Sequence, residues 1–188
     1  MPDQDPKLKY LHENHQDEIE RLGQDVQNTF SFGKVSFIFE RLKMLGPWKP
    51  KDFNMELIFE IDMMQSALAV EYSRVFNSGP RKVNRDRVPQ HLRAVHDKIM
   101  ELRNERFAHV GNHASVENFV ELKIEDNKVI VKAGATHLMQ LGAPQEWGEL
   151  IIWLGEHLNE QTAKQLVRLT TATGLEWVEQ TDLQPEQE

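Results

Sequence analysis

The chain has 188 residues, of which 39% are hydrophobic and 28% charged, a composition that predicts one folded domain and excludes wholesale disorder. Cysteine is absent and the longest purely apolar run covers only residues 150–154, so disulfide scaffolds and thiol chemistry are excluded, and we expect a cytoplasmic protein without a membrane partner. The formal net charge of −8 argues against general, sequence-independent coating of nucleic acid, because such binding relies on Lys and Arg.

The first part of the chain predicts a peripheral segment followed by two core helices. Residues 1–25 are polar and charged, which indicates an N-terminal extension or a peripheral helix. Apolar residues near three-and-four spacing from Val26 to Leu45 predict a core helix that ends at Gly46. The residues assigned to this core helix include Val26, Phe30, Phe32, Val35, Phe37, Ile38, Phe39 and Leu42. A clear helical stripe from Phe53 to Phe76 predicts the second core helix.

The third predicted helix carries most of the basic residues. We expect it to begin near Asn84 or Asp86, with Pro89 tolerated in its first turn. It should end near His109, because Gly111 is a typical helix stop. One face of this helix is expected to contain Leu92, Val95, Ile99, Leu102 and Arg106.

The pattern then changes to the two-residue period of strands. Alternation over about residues 118–132, with a turn at Asp126, predicts a short β-hairpin. Apolar residues from Trp147 to Leu158 predict a fourth core helix, and Asn159 is the candidate start of a fifth.

Together these elements predict a mainly α fold, namely a bundle of about four to five helices with a small β-hairpin insertion. The helical domain is expected to cover residues 26–178. Residues 179–188 are polar and predict a loose C-terminal tail.

Charge is distributed unevenly along the chain. Between Pro80 and Val110, eight basic residues stand against four acidic ones, so this segment is formally +4. The rest of the chain therefore carries −12, since the whole carries −8. A basic segment in an acidic protein can attract a polyanion locally, because the field depends on where the charges lie. The alternative is a solvated helix face with mixed charges.

The segment from Met100 to His109 places two guanidinium groups, a carboxamide and an imidazole at the end of the basic helix. Arginine offers planar donors that match phosphate oxygens, and histidine exchanges protons near neutral pH. Together these groups could bind a phosphodiester and promote its cleavage without a metal ion, because histidine moves the proton and arginine holds the developing charge.

This segment resembles the HEPN superfamily. Its nuclease members carry an arginine, usually a polar residue after it, and a histidine after four to six intervening residues, at a helix end in a small bundle. Arg103, Asn104 and His109 match that pattern with five intervening residues. The wider phrase Leu-Arg-Asn-x-Arg-Phe-Ala-His is similar to helical domains of abortive-infection and toxin–antitoxin proteins.

Two other segments match the bare spacing, namely Arg85–His91 and Arg106–His113. Pro89 interrupts the first, and His113 lies beyond the stop at Gly111. The resemblance therefore favours the segment that ends at His109.

The resemblance implies a metal-independent endoribonuclease or RNA-binding protein of a defence or toxin–antitoxin system. His109 would be the acid/base group, Arg103 would hold the phosphate, and Asn104 would be an orienting polar group. The expected RNA-binding residues are Arg93, Lys98 and Arg106. The implied partners are a second copy of the chain, with the two motifs facing one another, and an antitoxin protein.

Neither a metal ion nor a cofactor is expected. His109 and His113 have a spacing that suits a metal on a helix, but Gly111 should break the helix between them. His96-Asp97 is the dipeptide of metal-dependent phosphohydrolases, but no convincing set of further ligands accompanies it. No glycine-rich phosphate loop follows a predicted strand.

Two alternatives to the nuclease are open. In the first, the chain is a non-catalytic helical dimerisation or interaction module, in which Arg103 and Arg106 tie helices together and His109 favours a helix C-terminus. The acidic partners would come from the second core helix, at Glu60, Asp62 or Glu71. Positions six apart on an ideal helix differ by roughly 120°, so Arg103 and His109 share a face only where the helix unwinds. In the second, a HEPN-type protein binds nucleotides without cutting them.

Overall fold

The computed structural model describes residues 5–46, 54–77, 79–107, 116–125, 128–137 and 145–179. Its α-helices are α1 (Pro6–Asn14), α2 (Gln16–Leu45), α3 (Met55–Asn77), α4 (Arg93–Glu101) and α5 (Gln145–Thr173). Its strands are β1 (Val116–Glu125) and β2 (Lys128–His137). The mainly α fold with a small β-hairpin is therefore confirmed. None of the helices in these ranges is long and apolar enough to cross a membrane.

The core lies where α3 and α5 pack on α2, with α4 closing one side. Each of these helices buries one stripe of large side chains, which is how amphipathic helices form a bundle. The largest fully buried apolar and aromatic side chains include Leu42, Ile61, Leu68, Tyr72, Ile99, Leu150, Leu154 and Leu158.

Helix α2 extends across the predicted boundary at residue 25. A short break at His15 separates it from α1, and the helix then continues without interruption to Leu45. Asp25 is only 1% exposed, and its carboxylate accepts two hydrogen bonds from the Arg81 guanidinium. The polar residues that suggested a peripheral segment therefore include a buried, paired carboxylate of a core helix.

The buried face of α2 also differs from the expected one. Val35, Phe39 and Leu42 are buried, whereas Phe30 is 68% exposed. Val26 and Phe37 are exposed as well, so these two and Phe30 lie outside the core that was predicted to contain them. The reason is that α2 carries apolar residues on two faces, and only one face packs against α3 and α5.

The third predicted helix is a composite. Asn84 begins it by accepting the backbone N–H of Asp86, as expected, but two 3₁₀ turns precede α4. Pro89 lies between these turns, where its missing N–H costs nothing. After α4 the chain forms a π-helix over Leu102–Phe107. The predicted end near His109 lies outside the described residues.

The fourth and fifth predicted helices are one continuous helix, α5, because the sequence around Asn159 contains no helix breaker. The hairpin is longer than the predicted residues 118–132. Strands β1 and β2 pair antiparallel from Val116↔His137 to Glu125↔Lys128, and the expected turn at Asp126 lies outside the described residues.

Candidate functional site

A cleft of about 450 Å³ lies between the end of α3, the segment before α4, and α4 itself. This volume falls within the ~300–1,000 Å³ that is usual for small-molecule sites. Its charged and hydrogen-bonding side chains are those of Asn77, Arg85, His96, Asp97, Glu101 and Asn104. We refer to it as the α4 cleft.

The turn after α3 brings the basic segment back to this cleft. Gly79 has a φ of 76°, a left-handed conformation that glycine adopts without strain. The N–H of Val83 then donates to the carbonyl of Val75 at 2.9 Å, which fixes the returning chain against α3. Arg93 donates to the carbonyls of Val88 and Asp86 at 3.0 and 2.9 Å, and so ties this segment to the start of α4.

His96 is buried at the base of the α4 cleft, with 4% of its surface exposed. Its Nδ1 lies 2.8 Å from the hydroxyl of the fully buried Tyr72, and its ring packs 4.4 Å from that of Phe76, measured between ring centroids. Burial lowers the pKa of His96 and raises the pKa of Tyr72 far above its ordinary value, so both side chains are neutral near pH 7.

The tautomer of His96 is assigned from this pairing. The Tyr72 O–H needs an acceptor because it is buried, and Nδ1 is the acceptor that the described residues provide. The proton of the neutral imidazole is therefore on Nε2.

Asp97 forms a bidentate ion pair with Arg85, in which Nε–Oδ1 is 2.6 Å and Nη2–Oδ2 is 2.5 Å. These hydrogen bonds hold the pKa of Asp97 below its ordinary value. Both side chains are about half exposed at the mouth of the cleft, so the pair holds the segment before α4 in place more than it adds stability.

Arg103 and Asn104 lie at the start of the π-helix, beside the α4 cleft. Arg103 Nη1 donates to Asn104 Oδ1 at 2.9 Å, and Asn104 lines the cleft. Arg103 forms no ion pair with any side chain that the structure describes. Its guanidinium therefore differs from those of Arg81 and Arg85, which are each held by a carboxylate.

The π-helix changes the geometric argument about the motif. Its hydrogen bonds join residues five apart instead of four, so the directions calculated for an ideal α-helix do not apply after Leu102. Single π-turns within helices occur often at functional sites. His109, the third residue of the motif, lies outside the described residues.

The predicted RNA-binding residues differ in what they contact. Arg93 is committed to backbone carbonyls, and Lys98 pairs with Glu101 at 3.1 Å. For Arg106 the structure describes the backbone, within the π-helix, and not the side chain. Of the eight basic residues of this segment, Arg81 pairs with Asp25 outside it, and Arg85 and Lys98 pair with Asp97 and Glu101 inside it. Arg103 pairs with no carboxylate among the described side chains and instead donates to Asn104.

His96, which lines the cleft, and the buried Tyr72 beside it are a pair that the sequence did not identify. The available signal was the four-residue spacing from Leu92 to His96, which places the imidazole on the buried face of α4. Tyr72 looked like one more core aromatic of α3. Within the described residues, no three His, Asp or Glu side chains could jointly hold a metal ion.

A second groove, of about 610 Å³, lies along the exposed face of α2 and is mostly apolar. Val26, Phe30, Gly33 and Phe37 follow one another on this face at four- and three-residue steps. A Cβ added at Gly33 would meet nothing within 4 Å, so no packing within the described part of the chain requires a glycine there. We refer to this feature as the α2 groove.

In comparisons with known proteins, the chain matches no family model, no curated protein and no solved structure. A functional assignment therefore depends on the chemistry of the two sites themselves.

Proposed function

We propose that the protein is a HEPN-like RNA-binding protein that acts as a metal-independent endoribonuclease in a defence or toxin–antitoxin system. The observation that carries the proposal is Arg103, a half-buried guanidinium that hydrogen-bonds Asn104 at the rim of the α4 cleft and pairs with no described carboxylate. A guanidinium that no carboxylate holds can donate two parallel hydrogen bonds to a phosphate.

In the proposed reaction, the ribose 2′-hydroxyl attacks the adjacent phosphorus and the bond from phosphorus to the 5′-oxygen breaks. His109 takes the proton from the 2′-hydroxyl, and a proton is returned to the leaving 5′-oxygen. Arg103 binds the phosphate oxygens on which negative charge builds, while its bond to Asn104 keeps the guanidinium in place. The products are a 2′,3′-cyclic phosphate and a 5′-hydroxyl.

The proposal includes two protein partners, both taken from the resemblance to HEPN proteins. One is a second copy of the chain, with the two motifs facing one another. The other is an antitoxin protein that covers the RNA site.

The test is cleavage of labelled single-stranded RNA in excess chelator. We expect Arg103→Ala and His109→Ala to reduce the rate at least ~100-fold, since removal of one charge-stabilising donor costs that much in well-studied enzymes. Arg41→Ala is the matched control, because Arg41 is an exposed arginine of α2. Full activity of Arg103→Ala, or equal losses in Arg41→Ala, would refute the assigned roles.

The α2 groove supports a second candidate function, a non-catalytic interaction module that pairs with a second copy of the chain. Val26, Phe30 and Phe37 expose a helical apolar stripe, and Gly33 leaves open space at its centre for the close approach of another helix. If this function is correct, Phe30→Glu converts a dimer to a monomer in sedimentation, whereas Arg103→Ala does not.

A further inference from the structure

We propose that a polar cavity between α2 and the end of α3 is a second phosphate site, which binds the RNA backbone at a phosphate other than the one held by Arg103. This inference rests on the proposed function for its ligand, RNA. It does not depend on cleavage, because the site binds a phosphate and carries out no reaction.

The cavity has a volume of about 270 Å³, and we refer to it as the α2–α3 site. The polar side chains that line it are those of Gln24, Gln27, Asn28, Ser31, Lys34 and Arg74. Among the described residues its lining includes two cations and no carboxylate, whereas Asp97 and Glu101 both line the α4 cleft. Its volume is below the ~300–1,000 Å³ of most small-molecule sites, so it suits a single phosphate group better than a whole nucleotide.

The polar lining follows from the sequence of α2. Its residues recur at three- and four-residue steps and so share one face of the helix, namely Gln24, Gln27, Ser31 and Lys34. Gln24 packs on the turn after α3, because a Cβ added at Gly79 would collide with its amide oxygen. The side chains of Gln27 and Ser31 form no hydrogen bond with any residue that the structure describes. These two side chains therefore remain as neutral donors for a ligand.

Lys34 and Arg74 share one carboxylate. Nζ of Lys34 lies 3.4 Å from Oε1 of Glu71, and Nη1 of Arg74 lies 2.7 Å from the same oxygen. Lys34 also lies over the ring of Phe30, 5.1 Å from its centroid, and this contact brings no negative charge. Two positive charges against one negative charge leave the cluster formally +1.

The two cations are also the accessible part of the cluster. The side chains of Lys34 and Arg74 are 43% and 53% exposed, against 14% for Glu71. An anion from solvent therefore meets the cations before the carboxylate. Each cation donates to Glu71 through one N–H group and has further N–H groups, so a phosphate can accept charge-assisted hydrogen bonds from both.

The α2–α3 site and the α4 cleft adjoin at the end of α3. Arg74 lines the first and Asn77 lines the second, and these residues are three positions apart on the same helix. Side chains at this spacing are neighbours, with Cβ atoms ~5–6 Å apart. One RNA strand can therefore contact both sites, which favours RNA over an acidic peptide as the ligand.

The experiment is a titration of fluorescently labelled, single-stranded 2′-O-methyl RNA with the full chain, followed by anisotropy at several salt concentrations. This RNA keeps the backbone phosphates but has no free 2′-hydroxyl, so the proposed reaction cannot cleave it. Lys34→Gln/Arg74→Gln should weaken binding at least ~five-fold, because hydrogen bonds to charged groups are lost. The slope of log affinity against log salt should become shallower by about 0.7, the contribution of one single-strand phosphate.

Lys43→Gln/Lys164→Gln is the matched control. It removes the same number of positive charges, but each of these lysines has a carboxylate of its own, Glu40 for Lys43 and Glu160 for Lys164. We expect this control to change the affinity less than ~two-fold, because such exposed pairs interact weakly. Circular dichroism confirms that each variant is folded.

Glu71→Gln tests the same site with the opposite sign. It removes the carboxylate that Lys34 and Arg74 share, so RNA binding should become at least ~two-fold tighter. Glu40→Gln changes the net charge equally but frees one lysine, Lys43, and should have a smaller effect. Binding by Glu71→Gln that is no tighter than that of the unchanged chain would contradict the assigned balance of charge.

Unchanged affinity and slope in Lys34→Gln/Arg74→Gln would overturn the inference, as would equal losses in the two double variants. Binding of an oligoglutamate peptide at this site without binding of the RNA would also overturn it, in favour of an acidic protein. Binding that depends on Lys34 and Arg74, without cleavage of ordinary RNA, would support the site and refute the nuclease. Cleavage of ordinary RNA with binding independent of Lys34 and Arg74 would refute the site alone.

Discussion

Tyr72 of α3 and His96 of α4 form a buried hydrogen bond, with the Tyr72 hydroxyl 2.8 Å from His96 Nδ1. The bond joins two helices and holds the one histidine that lines the α4 cleft among the described residues. It therefore connects the stability of the bundle to the chemistry of the cleft.

Removing this hydroxyl should destabilise the fold. Tyr72→Phe leaves Nδ1 of a buried imidazole without its partner, and an unsatisfied buried group costs about 1–3 kcal/mol. We expect a loss of that size in the free energy of unfolding, measured with urea. Tyr10→Phe, at an exposed tyrosine of α1, is the control and should change little. Equal stabilities for Tyr72→Phe and the unchanged chain would contradict the assigned bond.

Stability should fall as the pH drops below about 6.5, the ordinary pKa of histidine. Burial lowers the pKa of His96 and of His157, so below pH 6.5 the unfolded chain binds more protons than the folded chain. Each histidine contributes stability that is complete above pH 6.5 and is lost as the pH falls through its lowered pKa. Urea unfolding between pH 7.5 and 5 measures this slope.

The slope should become shallower in His96→Asn and shallower again in His96→Asn/His157→Asn. A slope that both variants leave unchanged would show that neither imidazole is held neutral by the fold. Asp97 adds a separate acid-sensitive contribution, because Arg85 holds its pKa below 3.8, and this contribution is lost only as the pH falls below that value.

The ion pair of Arg81 and Asp25 should stabilise the fold far more than exposed ion pairs do. Arg81→Ala leaves the 1% exposed carboxylate of Asp25 buried without its two donors, which costs about 3–5 kcal/mol. Lys164→Ala breaks an exposed pair with Glu160 and should change the stability little, because solvent screens exposed charges. Thermal unfolding of the two variants compares them directly, and similar melting temperatures would contradict the burial of Asp25.

Alanine substitutions at two glycines should change the free energy of unfolding in opposite directions. A Cβ at Gly155 would lie 2.5 Å from Cζ of Phe32, so Gly155→Ala should cost about 1–3 kcal/mol through overpacking. A Cβ at Gly33 would meet nothing within 4 Å in the middle of α2, so Gly33→Ala should stabilise the chain by about 0.5–1 kcal/mol. Urea unfolding measures both, and changes of the same sign would contradict the packing of α2 on α5.

Periodicity predicted the mainly α class and the hairpin because both depend on local pattern. It did not predict which face of α2 is buried, because Phe30 and Phe39 are equally apolar and only the packing of α3 and α5 separates them. The same limit applies to Asp25, a charged residue whose burial depends on Arg81, 56 positions away.

The candidate site, too, was predicted only in part from the sequence. The motif identified Arg103 and Asn104, and these neighbours are hydrogen-bonded to one another beside a cleft. The cleft itself could not be predicted, because His96 and Tyr72 belong to different helices and meet only in the folded bundle. The π-helix that contains Arg103 and Asn104 has no sequence signature comparable to a cap or a proline.

The chemical nature of the RNA products tests the proposed reaction most directly. RNA is incubated with the purified chain in excess chelator, and the ends of the fragments are identified by mass spectrometry. We expect 2′,3′-cyclic phosphate and 5′-hydroxyl ends, formed at a rate that Arg103→Ala reduces at least ~100-fold and Arg41→Ala does not. The absence of cleavage, or fragments with 3′-hydroxyl and 5′-phosphate ends, would contradict attack by the neighbouring 2′-hydroxyl and with it the proposed function.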